Sequence, residues 1–235
     1  MGYTNSPLVN YKKISPNKTR DRNHKIDTIT IHHMAGNLTV EQCGEVFAPA
    51  SREASANYGI GSDGRIGLYV EEKDRSWATS SPDNDHRAIT IEVANNNTKT
   101  WGISDKAYKS LVALCVDICK RNGIAELKWK GDKNLIGKVA QQNMTVHRWF
   151  AATLCPGDYL YNLHGQIAKD VNAKLKPTPV KLESGNDIIW ELMNGKYKVK
   201  IDNVDKAVKA LDKAKNNPDF MSLYWILYKV VNGNG

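Results

Sequence analysis

The 235-residue chain contains no run of 18 apolar residues, so no segment is suited to cross a bilayer as a helix. Its first residues, Met1-Gly-Tyr-Thr-Asn-Ser6, lack the apolar stretch of a secretory signal. Synthesis in the cytoplasm is therefore expected, and action outside a cell needs another means of release. The four cysteines, at 43, 115, 119 and 155, form no Cys-x-x-Cys pair, which excludes a zinc ribbon. Without an export signal, disulfides are not expected. No run of Lys and Arg exceeds two residues, so a dedicated nucleic-acid tail is absent even though the formal net charge is +8. That excess favours an anionic partner: nucleic acid, an anionic membrane face or a bacterial wall. It is equally compatible with a merely soluble basic protein.

What is present is a 41% hydrophobic share, enough for a packed core, in a chain long enough for one sizeable domain and a small one. Residues 1–25 are polar and broken by prolines, with Lys12, Lys13, Lys18, Arg20, Arg22 and Lys25, and read as an arm over a core. Ile26 to Ile31 is rich in β-branched residues and reads as a strand ending in His32-His33. Thr39-Val-Glu-Gln42 is a capping-box pattern opening a short helix. Asp63-Gly64, between alternating apolar residues, signals a hairpin. Asp74 to Arg87 reads as a polar loop, and Ala88 to Ala94 as a central strand in which Glu92 faces away from Ile91 and Val93. Ser104 caps a helix running to Asn122 and stopped by Gly123, and Cys115 and Cys119 sit on its apolar stripe as core residues. Residues 126–140 form a basic, Trp-containing connection. Met144 to Val146 is a short strand, and a last helix follows Pro156-Gly157 to about Leu175.

The stretch His147-Arg-Trp-Phe-Ala-Ala-Thr-Leu-Cys155 places an imidazole and a thiol eight residues apart. Cys and neutral His are the usual zinc ligands, and a catalytic zinc has three protein ligands with one position left for water. A His at the mouth of the first long strand is a candidate third ligand.

Four ordered segments carry a family resemblance: Ile31-His-His-Met-Ala-Gly36, Ser55-Ala-Asn-Tyr-Gly-Ile-Gly-Ser-Asp-Gly64, Ile89-Thr-Ile-Glu-Val-Ala-Asn95, and His147-Arg with Thr153-Leu-Cys-Pro-Gly157. Over roughly residues 20–175 the chain resembles the zinc-dependent N-acetylmuramoyl-L-alanine amidases of the amidase-2 and peptidoglycan-recognition-protein family, and its organisation resembles a phage endolysin. The resemblance implies an α/β domain, a mixed central β-sheet flanked by helices, with Zn2+ held by His32, His147 and Cys155. His32, which directly follows the apolar strand, matches the ligand position, and His33 becomes a structural residue. Some members use a tyrosine two positions before Tyr58; Ala56 stands there, so that role is not carried over. Others use a strand glutamate, which matches Glu92 as general base and later acid. Thr153 stands where many members have a lysine that helps the oxyanion. Trp77 matches a groove-lining aromatic, and Asn95 and Arg148 are candidates to hold peptide or support the ligands. His86 either points into the groove or is a solvated loop residue.

The implied activity is hydrolysis of the amide between N-acetylmuramic acid and L-alanine of bacterial peptidoglycan, with release of the enzyme through a holin-type membrane lesion. The alternative is a recognition protein that binds peptidoglycan without cleaving it. Nucleic acid and a membrane anchor are not expected as partners. The domain reading is 1–176 catalytic, 177–184 linker, and 185–235 a small all-α C-terminal domain. The linker holds Pro177 and Pro179. From Gly185 onward there are eight lysines, no arginine and six acidic residues, a surplus of +2, so most of the basic charge lies upstream. About fifty residues make a marginal core. The tail is expected to bind the wall of a Gram-positive host, or to form homo-oligomers.

Overall fold

Strand β3, Thr28–His33, is buried along its whole length. Its alternation gives it two unlike faces. Thr28, Thr30 and His32 look one way; Ile29, Ile31 and His33 look the other. The computed structural model describes residues 3–96 and 100–175. The expected linker and helical tail at 177–235 lie outside them.

The other strands are β1 (Tyr11–Lys12), β2 (Lys18–Thr19), β4 (Tyr58–Ile60), β5 (Ile66–Leu68), β6 (Arg75–Ser76), β7 (Ala88–Val93) and β8 (Met144–Thr145). Six form a mixed sheet in the order β1-β5-β4-β7-β3-β8. Only the β4–β5 pair is antiparallel. It is the hairpin expected at Asp63-Gly64, where Gly64 adopts φ +87°, a conformation that costs glycine little. The β2–β6 pair stands apart as an antiparallel ribbon.

The helices follow their caps. α1 (Val40–Phe47) opens with the full Thr39/Gln42 capping box. α3 (Asp105–Asn122) is capped by the Ser104 hydroxyl and ends at Gly123 with φ +68°. α4 (Gly157–Leu175) follows the Cys155–Pro156 bond, which is cis. α3 and α4 bury Leu111, Leu114, Ile118, Leu160, Ile167 and Val171 together with Ile29, Ile31, Ile89, Ile91 and Val93 of the sheet.

Three readings of the sequence need correction. The first long strand runs from Thr28 rather than Ile26 and takes both histidines into the ladder. The segment 74–87 is no plain loop: it contains β6 and α2, Pro82–Arg87, capped by the Ser81 hydroxyl with Pro82 in the first turn. The N-terminal arm is stitched in rather than draped. Ser15 Oγ donates to the Phe47 carbonyl at 2.6 Å, and Asn17 Nδ2 donates to the carbonyls of Phe47 and Pro49 at 3.1 and 2.8 Å. The Arg22 guanidinium, 7% exposed, donates to the carbonyl oxygens of Glu72, Asp74, Asp85, His86 and Ala88. Burial pushes its pKa down to about 10, which still leaves it charged at neutral pH.

Candidate active site

In the parallel ladder His32 lies beside Glu92, so both side chains leave the sheet on the same face at its C-terminal edge. His147 arrives from the neighbouring edge, in the 3-10 turn His147–Trp149 directly after β8. Cys155 comes from the loop that leads into α4. Arg148 N–H donates to the Cys155 carbonyl and Gly157 N–H to that of Leu154, which folds this loop back over the edge.

These elements bring His32, His147 and Cys155 together. One ligand atom from each lies within 4.8 Å of the others. His32 Nδ1 is 3.4 Å from Cys155 Sγ, and the two imidazole rings have centroids 5.2 Å apart. A tetrahedral ion with bonds of about 2.0 to 2.3 Å holds its ligands roughly 3.3 to 3.6 Å apart, a spacing that the His32–Cys155 pair already has. Glu92 Oε1 is 3.9 Å from His32 Nδ1, while Glu92 Oε2 is buried and has no hydrogen-bond partner. Two imidazoles and a thiol converging beside a buried, unpartnered carboxylate oxygen are a donor set that fits a cation.

Burial favours the neutral forms of all four groups. Burial holds the His32 pKa well below the ordinary imidazole value, and His147 adds to this. His147 is lowered by burial, and the charge of Asp85 opposes the shift. Burial raises the Cys155 thiol and Glu92 adds to it, whereas a hydrogen bond from the His33 backbone and the charge of Arg148 pull it down. Burial also pushes Glu92 up to about 8, against the charge of Arg52.

A groove of about 240 Å3 lies over these groups. Leu38, Val46 and Phe47 form an apolar wall, and Arg52, Trp77 and Thr153 stand round it. Trp77 is fixed by its indole N–H to Thr19 Oγ1 at 2.9 Å and by two bonds between its backbone and Ser55. Thr153 Oγ1 accepts from the Cys155 N–H at 3.2 Å, leaving its own proton free.

Asn95 does not reach the groove. It is 2% exposed; its carbonyl oxygen accepts from Gly36 N–H at 2.9 Å and its amide donates to Asn96. Its work is to hold the loop after β3. Arg148 is also turned away, paired with Asp158 at 2.9 Å, donating to the Leu154 carbonyl, and lying over the Tyr161 ring. In this position it braces the cysteine loop, the supporting role that was its other expected part. His86 Nδ1 accepts from Asn23 N–H, which ties it to the N-terminal arm. His33, on the opposite face from His32, packs on Trp101 with ring centroids 4.6 Å apart. The arginine missed from sequence is Arg52, exposed and carried on the 3-10 turn Ala50–Arg52. No motif contains it, and only the fold carries it to the groove.

The family model of N-acetylmuramoyl-L-alanine amidases, Amidase_2, matches residues 22–158. The chain belongs to this amidase family. Solved structures similar to this amidase include a selenomethionine derivative of AmpD, at 17% identity over 72% of this chain and 99% of that one, with a TM-score of 0.52. A mutant endolysin from Bacillus subtilis is similar at 16% identity over 70% and 99% of the two chains, with a TM-score of 0.50. At such identities the likeness bears on the fold alone, and the fold agrees: a mixed sheet with flanking helices. No curated protein sequence matches.

Proposed function

We propose that this chain is a zinc-dependent peptidoglycan hydrolase of the endolysin type, cleaving the amide between N-acetylmuramic acid and L-alanine of the stem peptide. The observation that carries the reading is the convergence of His32, His147 and Cys155 within 4.8 Å, beside a carboxylate with one buried, unpaired oxygen.

In this proposal His32 Nδ1, a nitrogen of His147 and Cys155 Sγ hold the ion. A zinc ion so held supplies a Lewis acid that polarises the scissile carbonyl and makes water acidic. Glu92 takes the proton of the attacking water and returns it to the departing amine, which makes it base and then acid. Thr153 donates its free hydroxyl proton towards the carbonyl oxygen as negative charge develops there; being neutral, it contributes less than a lysine would. The wall of Leu38, Val46 and Phe47, with Trp77 opposite, excludes water and aligns the muramoyl peptide.

Residues 1–176 form the catalytic part in this reading and 185–235 the part that holds the wall, joined by 177–184. In this reading the enzyme reaches the wall once the membrane is breached.

Purified Gram-positive walls provide the test. New N-terminal amines should appear, a chelator should stop their release, and zinc should restore it. A protein that sediments with walls yet frees no amine is a recognition protein, and the hydrolase reading fails. A chain ending at residue 176 should still cleave a soluble muramoyl peptide but no longer sediment with walls. If it sediments as before, the tail serves another end, such as self-association, which light scattering reads.

A further inference from the structure

Below the three candidate ligands, on the same face of the sheet, lies a closed ring of side-chain hydrogen bonds. Thr30 stands two residues before His32 on β3, and Thr145 two residues before His147, at the end of β8. Their hydroxyl oxygens are 2.7 Å apart. Asn84, from α2, closes the triangle: Nδ2 donates to Thr30 Oγ1 at 3.1 Å, and Oδ1 accepts from Thr145 Oγ1 at 2.9 Å. Because Thr145 spends its proton on Asn84, Thr30 must donate to Thr145. Every proton in the ring then runs the same way round. The amide is oriented by Asp85 Oδ1 and Thr79 Oγ1, acceptors at 3.4 Å from Nδ2. Asn84, Thr30 and Thr145 are 5%, 0% and 3% exposed.

A ring of this kind strengthens each of its bonds and leaves little freedom in the groups that make it. It also lies at the edge of the sheet. β8 is two residues long and joins β3 through only two residue pairs, Ile29 with Met144 and Thr30 with Thr145. With so short a ladder, side-chain bonds such as those of the ring take a large share in fixing the position of β8. His147 lies two residues beyond Thr145, so a displacement of β8 would change the distance between the two imidazoles.

We propose that Asn84, acting through Thr30 and Thr145, is a positioning residue that sets the separation of His32 and His147 and thereby the affinity of the metal site. The inference rests on the metal reading above. The ring bonds to neither imidazole; groups bonded directly to metal ligands are worth about ten- to a hundredfold in metal affinity, and an effect at the lower end of that range is expected here.

The experiment is metal binding by the full chain, measured with zinc by chelator competition and with cobalt(II) by its visible absorption, alongside thermal unfolding. Thr145→Val keeps the shape and removes the hydroxyl, Thr145→Ser keeps the hydroxyl, and Asn84→Ala opens the ring while leaving the threonine pair. Thr145→Val should bind both ions about tenfold or more weakly and change the cobalt spectrum. Thr145→Ser should restore both. If Thr145→Val does not fold, Asn84→Ala carries the test, with the same loss of affinity and the same spectral change expected. A folded Thr145→Val or Asn84→Ala protein with wild-type affinity and spectrum overturns the proposal, even if its melting temperature has dropped. If the wild-type chain binds neither ion, the metal reading falls and this inference falls with it; normal binding by the wild type and by the variants removes the inference alone.

Discussion

The two faces of the central sheet are made by alternate residues of the same strands, yet they share almost no chemistry. On one, Ile29, Ile31, Ile89, Ile91 and Val93 are fully buried against α3 and α4. On the other, Thr30, Thr90 and Thr145 are just as deeply buried but among hydroxyls and amides, including Asn57, Ser76 and Asn84. The first face supplies non-directional burial energy. The second supplies directed bonds at fixed angles, and at its C-terminal edge these give way to His32 and Glu92. The molecule thus separates cohesion from precision by residue parity.

The largest way to break this comparison is on the polar side. Cys155→Ser and His32→Ala each remove one of three candidate ligands. Bound zinc, read by atomic absorption, should vanish, and wall digestion should fall by more than the hundredfold that loss of an outer partner can cause. Next comes Glu92→Gln, which should keep its zinc while turnover drops about a hundredfold or more. Undiminished turnover would remove Glu92 from the proton path. On the apolar side the expected pattern is inverted. Ile91→Ala should lower unfolding stability by about 2 to 5 kcal/mol in denaturant titration, with turnover per folded, zinc-loaded molecule unchanged.

The smallest and most graded effect concerns the one imidazole in the helical layer. His164, on α4, is fully buried, bonds the Leu160 carbonyl through Nδ1 at 2.7 Å and leaves Nε2 without a partner. Burial pushes its pKa down to about 4 from the ordinary 6.5. The unfolded chain therefore takes up a proton here before the folded one does. This group does not oppose folding above pH 6.5; its penalty grows as pH falls towards 4 and levels off below that, at about 3 kcal/mol. Melting curves recorded from pH 7 to pH 4 should show His164→Gln losing less stability than wild type over that window. Parallel losses in the two proteins would assign the acid sensitivity to other groups.

Much of the apolar face was legible in the sequence, because period-2 and period-3.6 patterns record burial directly. The helices α1, α3 and α4, the Asp63-Gly64 hairpin and the opposed orientation of Glu92 all follow from such patterns and from caps. The polar face was not. α2 had its signals, Ser81 as cap and Pro82 behind it, but six residues with Asn84 and Asp85 buried and no apolar stripe look like a loop. Asn84, Thr30 and Thr145 carry no motif, since hydrogen-bond rings leave no periodicity in a chain. The ordered motifs located His32, His147, Cys155 and Glu92 at a common edge. They said less about their other members: Asn95 and Arg148 belong to the same motifs, yet each is engaged by its own surroundings, with Gly36 and Asn96 for one and Asp158 and Tyr161 for the other.

Arg22 bears on how far the protein can be shortened. Five carbonyl oxygens from the segments around β6, α2 and β7 point at its guanidinium, and a chain begun one residue later would leave all of them turned towards an empty hole. Water could refill that socket only in part. An engineer seeking a minimal folded domain should therefore treat the basic leader as a keystone and do the trimming at the other end.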